Sequence, residues 1–132
     1  MIEGGLGHVL AQFFFYIHIT SVRTNGRRNF DMLIYNTTYQ TTNDEARNFV
    51  IWMHEVYIPR AEAEGLLANP RLTRILSHKE EESECFSLQW EVADSRTLHQ
   101  WHTHHGMALQ EEMKRLFKDK VAGFSTLMEV IG

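Results

Sequence analysis

From Met32 onward the hydrophobic positions recur first every second residue, then at helical spacing, and the switches between these periods mark six elements. Leu33 to Tyr39 is β-branched and aromatic, with Leu33, Tyr35, Thr37 and Tyr39 on one face and Ile34, Asn36 and Thr38 on the other. Asn43 or Asp44 then caps a helix whose apolar stripe is Ala46, Phe49, Val50, Met53, Val56 and Tyr57, widened by Trp52. Pro59 removes a backbone donor and predicts a kink or division near Ile58, and Gly65 helps to end the helix. Arg71 to Ser77 and Cys85 to Ala93 read as two strands joined by a polar turn, His78 to Glu84. In the second strand Phe86, Leu88, Trp90 and Val92 alternate with Ser87, Gln89 and Glu91. Asp94 and Ser95 cap a second helical region that runs to about Lys118, with Gly106 predicted to break it in two. On a continuous helix Leu98, Trp101, His105, Ala108, Leu109, Met113 and Leu116 share one face. A last strand from about Gly123 to Ile131 completes the series.

This order, strand, helix, strand, strand, helix, strand, predicts an α+β ferredoxin-like βαββαβ sandwich. Its four-stranded antiparallel sheet carries both helices on one face, leaving the other face bare. Burying several hundred Å2 of apolar surface there contributes on the order of 10 kcal/mol before the costs of association. Homodimerisation through the open sheet face is therefore expected.

Residues 1–31 do not follow the same design. The run from Val9 to Val22 is aromatic and β-branched, but Gln12, His18, Thr20 and Ser21 interrupt it and it falls short of a membrane span. Arg23, Arg27 and Arg28 follow it and Glu3 precedes it, which is the reverse of a secretory signal. The reading is an N-terminal extension over 1–31 outside the core and a ferredoxin-like domain over 32–132. The competing view is an accessory strand or helix packed on that domain.

Composition narrows the function classes. The chain has 132 residues, enough for one domain, with 43% hydrophobic and 23% charged residues. A net charge of -4 removes the usual electrostatic case for nucleic acid, and neither common phosphate loop is present. Cys85 is the only cysteine, so one chain can form neither a disulfide nor a multi-cysteine zinc site. The simplest setting is cytoplasmic, with no membrane partner and no cofactor.

Two groups of residues invite chemistry. His99, His102, His104 and His105 crowd together, but no Cys or HExxH pattern joins them, and they read as solvated or capping residues around a helix break rather than a metal site. The more pointed set is Trp101, His105 and Glu112, polar groups along an apolar stripe, with Asn36 directed from the first strand toward the helices to complete a small pocket. The competing assignment lets Gly106 reset the helical phase, so that Glu112 reaches solvent or pairs with Lys114 or Arg115. Cys85 reads as structural, and the four acids of the turn read as a solvated loop.

The stretch FSLQWEVADSRTLHQWHTHHGMALQEEM, from Phe86 to Met113, resembles the dimeric α/β-barrel superfamily of antibiotic-biosynthesis-monooxygenase-like proteins. The segments MLIYNTTY, WMHEVYIP, NPRLTRILSH, LQWEV, WHTHHG and FKDKVAGFSTLMEVI resemble a small bacterial domain family of unknown function, over nearly all of Met32 to Ile131. The resemblance implies the fold and the dimer and no established reaction. Haem-degrading members of the superfamily use an Asn on the first strand, a Trp on the second helical region and a later His. Asn36 and Trp101 match the first two, but the His position falls near Glu111 and Glu112, where a carboxylate is a poor substitute for imidazole. Two functions are compatible with these residues. One is a homodimer that binds a small molecule or partner protein without catalysis. The other is a cofactor-free monooxygenase or isomerase acting on an aromatic or polyketide-like molecule, with Asn36 polarising a carbonyl and His105 or Glu112 moving a proton.

Overall fold

A computed structural model describes residues 32–78 and 80–132. The N-terminal run and its linker fall outside the described residues. Strand β1 (Leu33–Thr42) leads into a first helical run made of α1 (Asn43–Trp52), a π-helical turn (Met53–Tyr57) and α2 (Ile58–Ala61). Strands β2 (Ala68–Arg74) and β3 (Ser83–Val92) form a hairpin. The second helical run is α3 (Ser95–Trp101), a π-helical turn (His102–Gly106) and α4 (Met107–Phe117), and β4 (Val121–Glu129) ends the fold. The sheet is antiparallel in the order β2-β3-β1-β4, the ferredoxin-like arrangement expected from the element order. No helix among the described residues is long and apolar enough to cross a membrane.

Alternation assigns the two faces. On β1 the odd residues Leu33, Tyr35, Thr37, Tyr39 and Thr41 are buried under the helices, and the even residues form the open face. Tyr35 pairs with Trp90 and with Leu127, so the same parity extends across the sheet. Phe49 fills the centre of the core, its ring 5.1 Å from Tyr39, 5.7 Å from Phe86 and 6.0 Å from Phe117. Asp94 caps α3 by accepting from the Thr97 backbone N–H at 2.7 Å.

Of the two expected helix interruptions, one falls where it was placed and the other is corrected. Pro59 does not end the first helical run: a wider π turn over Met53–Tyr57 precedes it, and the run divides at Ile58 into a short α segment that continues to Ala61. A π turn loosens the backbone where the proline ring would otherwise meet the carbonyl of the preceding turn. Gly106 does not break the second run; it holds helical dihedrals of -63° and -41°. Its lack of a side chain serves packing. A Cβ at this position would stand 2.7 Å from Cζ3 of Trp101 and 3.1 Å from Nδ1 of His102.

The π turn at His102–Gly106 consumes residues at a different pitch, so the apolar stripe is not the one expected for an unbroken α-helix. Leu98, Trp101, Leu109 and Met113 are buried as expected, but His102, Gln110 and Phe117 join them while Ala108 and Leu116 are exposed. Strand β2 also begins three residues earlier than Arg71. A register shift between Ala68 and Arg71 absorbs Pro70, which has no N–H for the ladder, and Asn69 takes a positive φ of 54°.

Gly106→Ala is expected to destabilise the protein by up to about 2 kcal/mol. The gain of alanine over glycine in a helix, about 1 kcal/mol, is outweighed by overpacking that costs about 1–3 kcal/mol. Urea denaturation measures the difference, and a stabilised variant would show that the Trp101 ring yields freely.

Candidate functional site

The structure does not bring Asn36 together with the other three candidates. Asn36 lies on the open face, because Tyr35 and Thr37 take the helix side. Its Oδ1 accepts from the Ser87 hydroxyl at 2.5 Å and its Nδ2 donates to Thr38 Oγ1 at 3.2 Å. The sheet itself separates it from Trp101, so the expected orientation toward the helices is corrected.

Trp101, His105 and Glu112 instead serve the packing of one helical run on the other, and each is tied to the segment 60–64. The Trp101 indole N–H donates to the carbonyl of Ala61 at 2.8 Å, and its ring meets Tyr35 edge-on at 6.0 Å. Glu112 pairs with Arg60 at 2.6 Å, not with Lys114 or Arg115. His105 Nε2 lies 3.3 Å from Glu64 Oε1, and His104 Nδ1 lies 3.1 Å from the same oxygen. The nearby imidazoles hold the exposed Glu64 carboxyl below its usual range, with His104 the larger influence. These contacts form a seam between the second helical run and the end of the first. His99 and His102 also have partners of their own. Among the described residues no group of three or more His, Cys, Asp or Glu is arranged to hold a metal ion.

Beneath the helices the fold gathers hydroxyls. Thr37 Oγ1 and Ser125 Oγ are 3.0 Å apart, and Ser125 donates to the Tyr35 hydroxyl at 3.3 Å. The Tyr39 hydroxyl lies beside that of Tyr57, at geometry short of a hydrogen bond. Burial pushes Tyr35, Tyr39 and Tyr57 upward, Tyr57 far so, and these groups act as neutral hydrogen-bonding phenols rather than bases. The alternation of Tyr35, Thr37 and Tyr39 is visible in the sequence, but Ser125 and Tyr57 meet them only through the fold.

The open face has two zones. Its β4 border is apolar: Phe124 is 50% exposed and Met128 38%, with Ile34 beside Met128 on β1. Its centre, on β1 and β3, is polar: Asn36, Thr38, Ser87 and Gln89. Apolar surface is therefore confined to one border of the bare face rather than spread across it. At the hairpin end a cavity of about 420 Å3 lies between Gln40, Thr41 and Thr42 of β1 and the Glu80–Ser83 turn. Next to it Cys85 Sγ lies 3.3 Å from Nδ1 of His78. Sequence reading missed this contact, whose one signal is that both residues sit on the arms of a hairpin.

No curated protein matches the chain in sequence. Its fold is similar to that of a crystal structure described as a dimeric ferredoxin-like protein from an uncultured marine organism. That pair has a TM-score of 0.55 and 11% identity over 77% of this chain and 97% of the other. It is also similar to an ethyl tert-butyl ether d (ethd) family protein from Bacillus halodurans, with a TM-score of 0.53 and 15% identity over 76% and 98% of the two chains. Residues 32–131 match the domain of unknown function DUF4286. The chain therefore belongs to the DUF4286 family, whose fold is that of the ferredoxin-like proteins.

Proposed function

We propose that the protein acts as a homodimer whose open sheet faces stack on one another, and that the pair binds a small molecule or partner protein without catalysing a reaction. The composition of the open face carries this reading. Phe124 and Met128 leave apolar surface in water along β4. The polar centre, in contrast, is already paired within itself, Asn36 with Ser87 and Thr38. Covering such a face gains the apolar term and leaves little unsatisfied polar surface. A fold neighbour described as dimeric supports the pairing. The reading includes a cytoplasmic setting, supported by a single free cysteine and its demand for nothing oxidising.

The catalytic alternative, a cofactor-free monooxygenase or isomerase on an aromatic or polyketide-like substrate, is favoured by the buried hydroxyls around Tyr35, Thr37 and Ser125. It loses its carbonyl-polarising group, since Asn36 faces away from the helices.

Sedimentation tests the dimer. The wild-type chain is expected at the mass of two 15.5 kDa protomers, and Phe124→Asp at the mass of one at micromolar concentration. A buried aromatic anchor is worth about 2 kcal/mol or more, which weakens the dimer by a factor of roughly 30 before the buried charge adds to it. A wild-type monomer, or a Phe124→Asp dimer, would refute the stacking.

A further inference from the structure

The two edges of the sheet are built differently. In the order β2-β3-β1-β4 the edge strands are β2 and β4. Strand β2 is blunted: Pro70 lacks an N–H, the pairing shifts register between Ala68 and Arg71, and Arg71 and Arg74 stand along it. Strand β4, VAGFSTLME, has no proline, no charge before Glu129 and an unbroken register on β1. Chains that stay single guard such an edge, because its free backbone groups template another strand.

One bond shows which groups are free. The Val130 N–H donates to the Met32 carbonyl at 3.0 Å, and in an antiparallel ladder every second residue bonds to the same neighbour. Ala122, Phe124, Thr126 and Met128 therefore bond to β1, while Gly123, Ser125, Leu127 and Glu129 turn their N–H and C=O groups outward. The side chains alternate in step. Phe124, Thr126 and Met128 are exposed on the open face, and Gly123 and Ser125 are buried on the helix side.

We infer that β4 pairs antiparallel with β4 of a second copy, about a two-fold axis at Thr126. This register sets Phe124 of each chain against Met128 of the other, Ser125 against Leu127 and Gly123 against Glu129, with the two Thr126 residues at the centre. The two large exposed apolar groups of β4 then cover each other, an aromatic–aliphatic cross-strand contact made twice. No like charges meet, since Glu129 stands against a glycine. Centring on Ser125 instead would set Phe124 against Thr126 and Met128 against Ala122, and both contacts would be lost. The edge lies beside the open face, so this contact adds to stacking and does not replace it. Backbone bonds and two side-chain contacts make it a small, weak interface, which leaves the two-protomer mass at micromolar concentration intact.

Disulfide trapping tests the pairing. Cys85 is the chain's one cysteine, so Cys85→Ser gives a background in which Thr126→Cys is the sole thiol. The chain is oxidised with copper–phenanthroline and followed on non-reducing gels. Residues opposite each other at a site without hydrogen bonds stand about 4.5 Å apart at Cα, within disulfide reach. Stacked sheets stand about 10 Å apart, beyond it, so the disulfide reads the edge whether or not the faces pair. Thr126→Cys is expected to dimerise roughly tenfold faster or more than Gln100→Cys, an exposed position on α3 that sets the collision rate, because pairing holds the thiols at a millimolar effective concentration. Phe124→Cys and Met128→Cys, each about 13 Å from its own copy across the axis, should crosslink when mixed and not alone. The substituted side chains are exposed, so these variants keep the fold. Equal rates for Thr126→Cys and Gln100→Cys would overturn the proposal. So would crosslinking of Phe124→Cys with Thr126→Cys in place of Met128→Cys.

Discussion

Trp101→Ala is expected to destabilise the protein by about 3–5 kcal/mol, the cost of emptying a buried indole site. The ring is 1% exposed and packs between Tyr35 of the sheet and the backbone of Gly106. Its N–H also supplies the hydrogen bond that Ala61 would otherwise lack at the end of α2. Trp101→Phe separates the two contributions. It keeps most of the apolar contact and leaves the Ala61 carbonyl alone, for a loss of about 1–3 kcal/mol. Denaturant midpoints of the three chains give both numbers. A loss below about 1 kcal/mol for the alanine variant would mean that the indole borders open space rather than a packed seam, and the catalytic alternative would regain its pocket.

The second large effect is alkaline. Three of the chain's four tyrosines, Tyr35, Tyr39 and Tyr57, are buried with raised pKa values. The dominant cause in each is loss of solvation. The unfolded chain binds fewer protons than the native one once the pH passes 10, the ordinary phenol value. Stability is therefore fully present below pH 10 and is lost as the pH climbs from there through the raised native values. With three phenols the loss approaches about 4 kcal/mol per pH unit, three times the single-group slope of 1.36. Unfolding and phenolate absorbance should thus appear together in one steep transition. Tyr39→Phe should remove about a third of the steepness. Phenolate absorbance that develops gradually near pH 10 in a chain that stays folded would contradict the burial of these groups.

The boundaries legible in the sequence were those set by local chemistry. Asp94 announces the start of α3 and caps it, and the alternation through Phe86, Leu88, Trp90 and Val92 marks the buried face of β3. The errors came where one local rule met a tertiary compensation. Pro59 and Gly106 are helix breakers in isolation. Pro59 does mark the division at Ile58, but Gly106 lies within a π turn that lets the helix pass. The second π turn also rotates α4 about its axis, so Ala108 and Leu116 leave the core and Gln110 and Phe117 enter it. The four-residue pocket failed on a single step of strand parity. A shift of one residue moves a side chain through the sheet, and Asn36 lies on the far side.

Read alone, the chain determined the order of its elements, the sheet they build and the existence of a bare face, because period-2 and helical patterns are properties of neighbouring residues. The tertiary structure decided which groups meet. Trp101, His105 and Glu112 became ties to residues 60–64, and His78 came to Cys85 across a hairpin turn. Such meetings depend on the angle at which each side chain leaves its element and on what packs behind it. One extra residue in a helical turn changes that angle, and no local pattern records it.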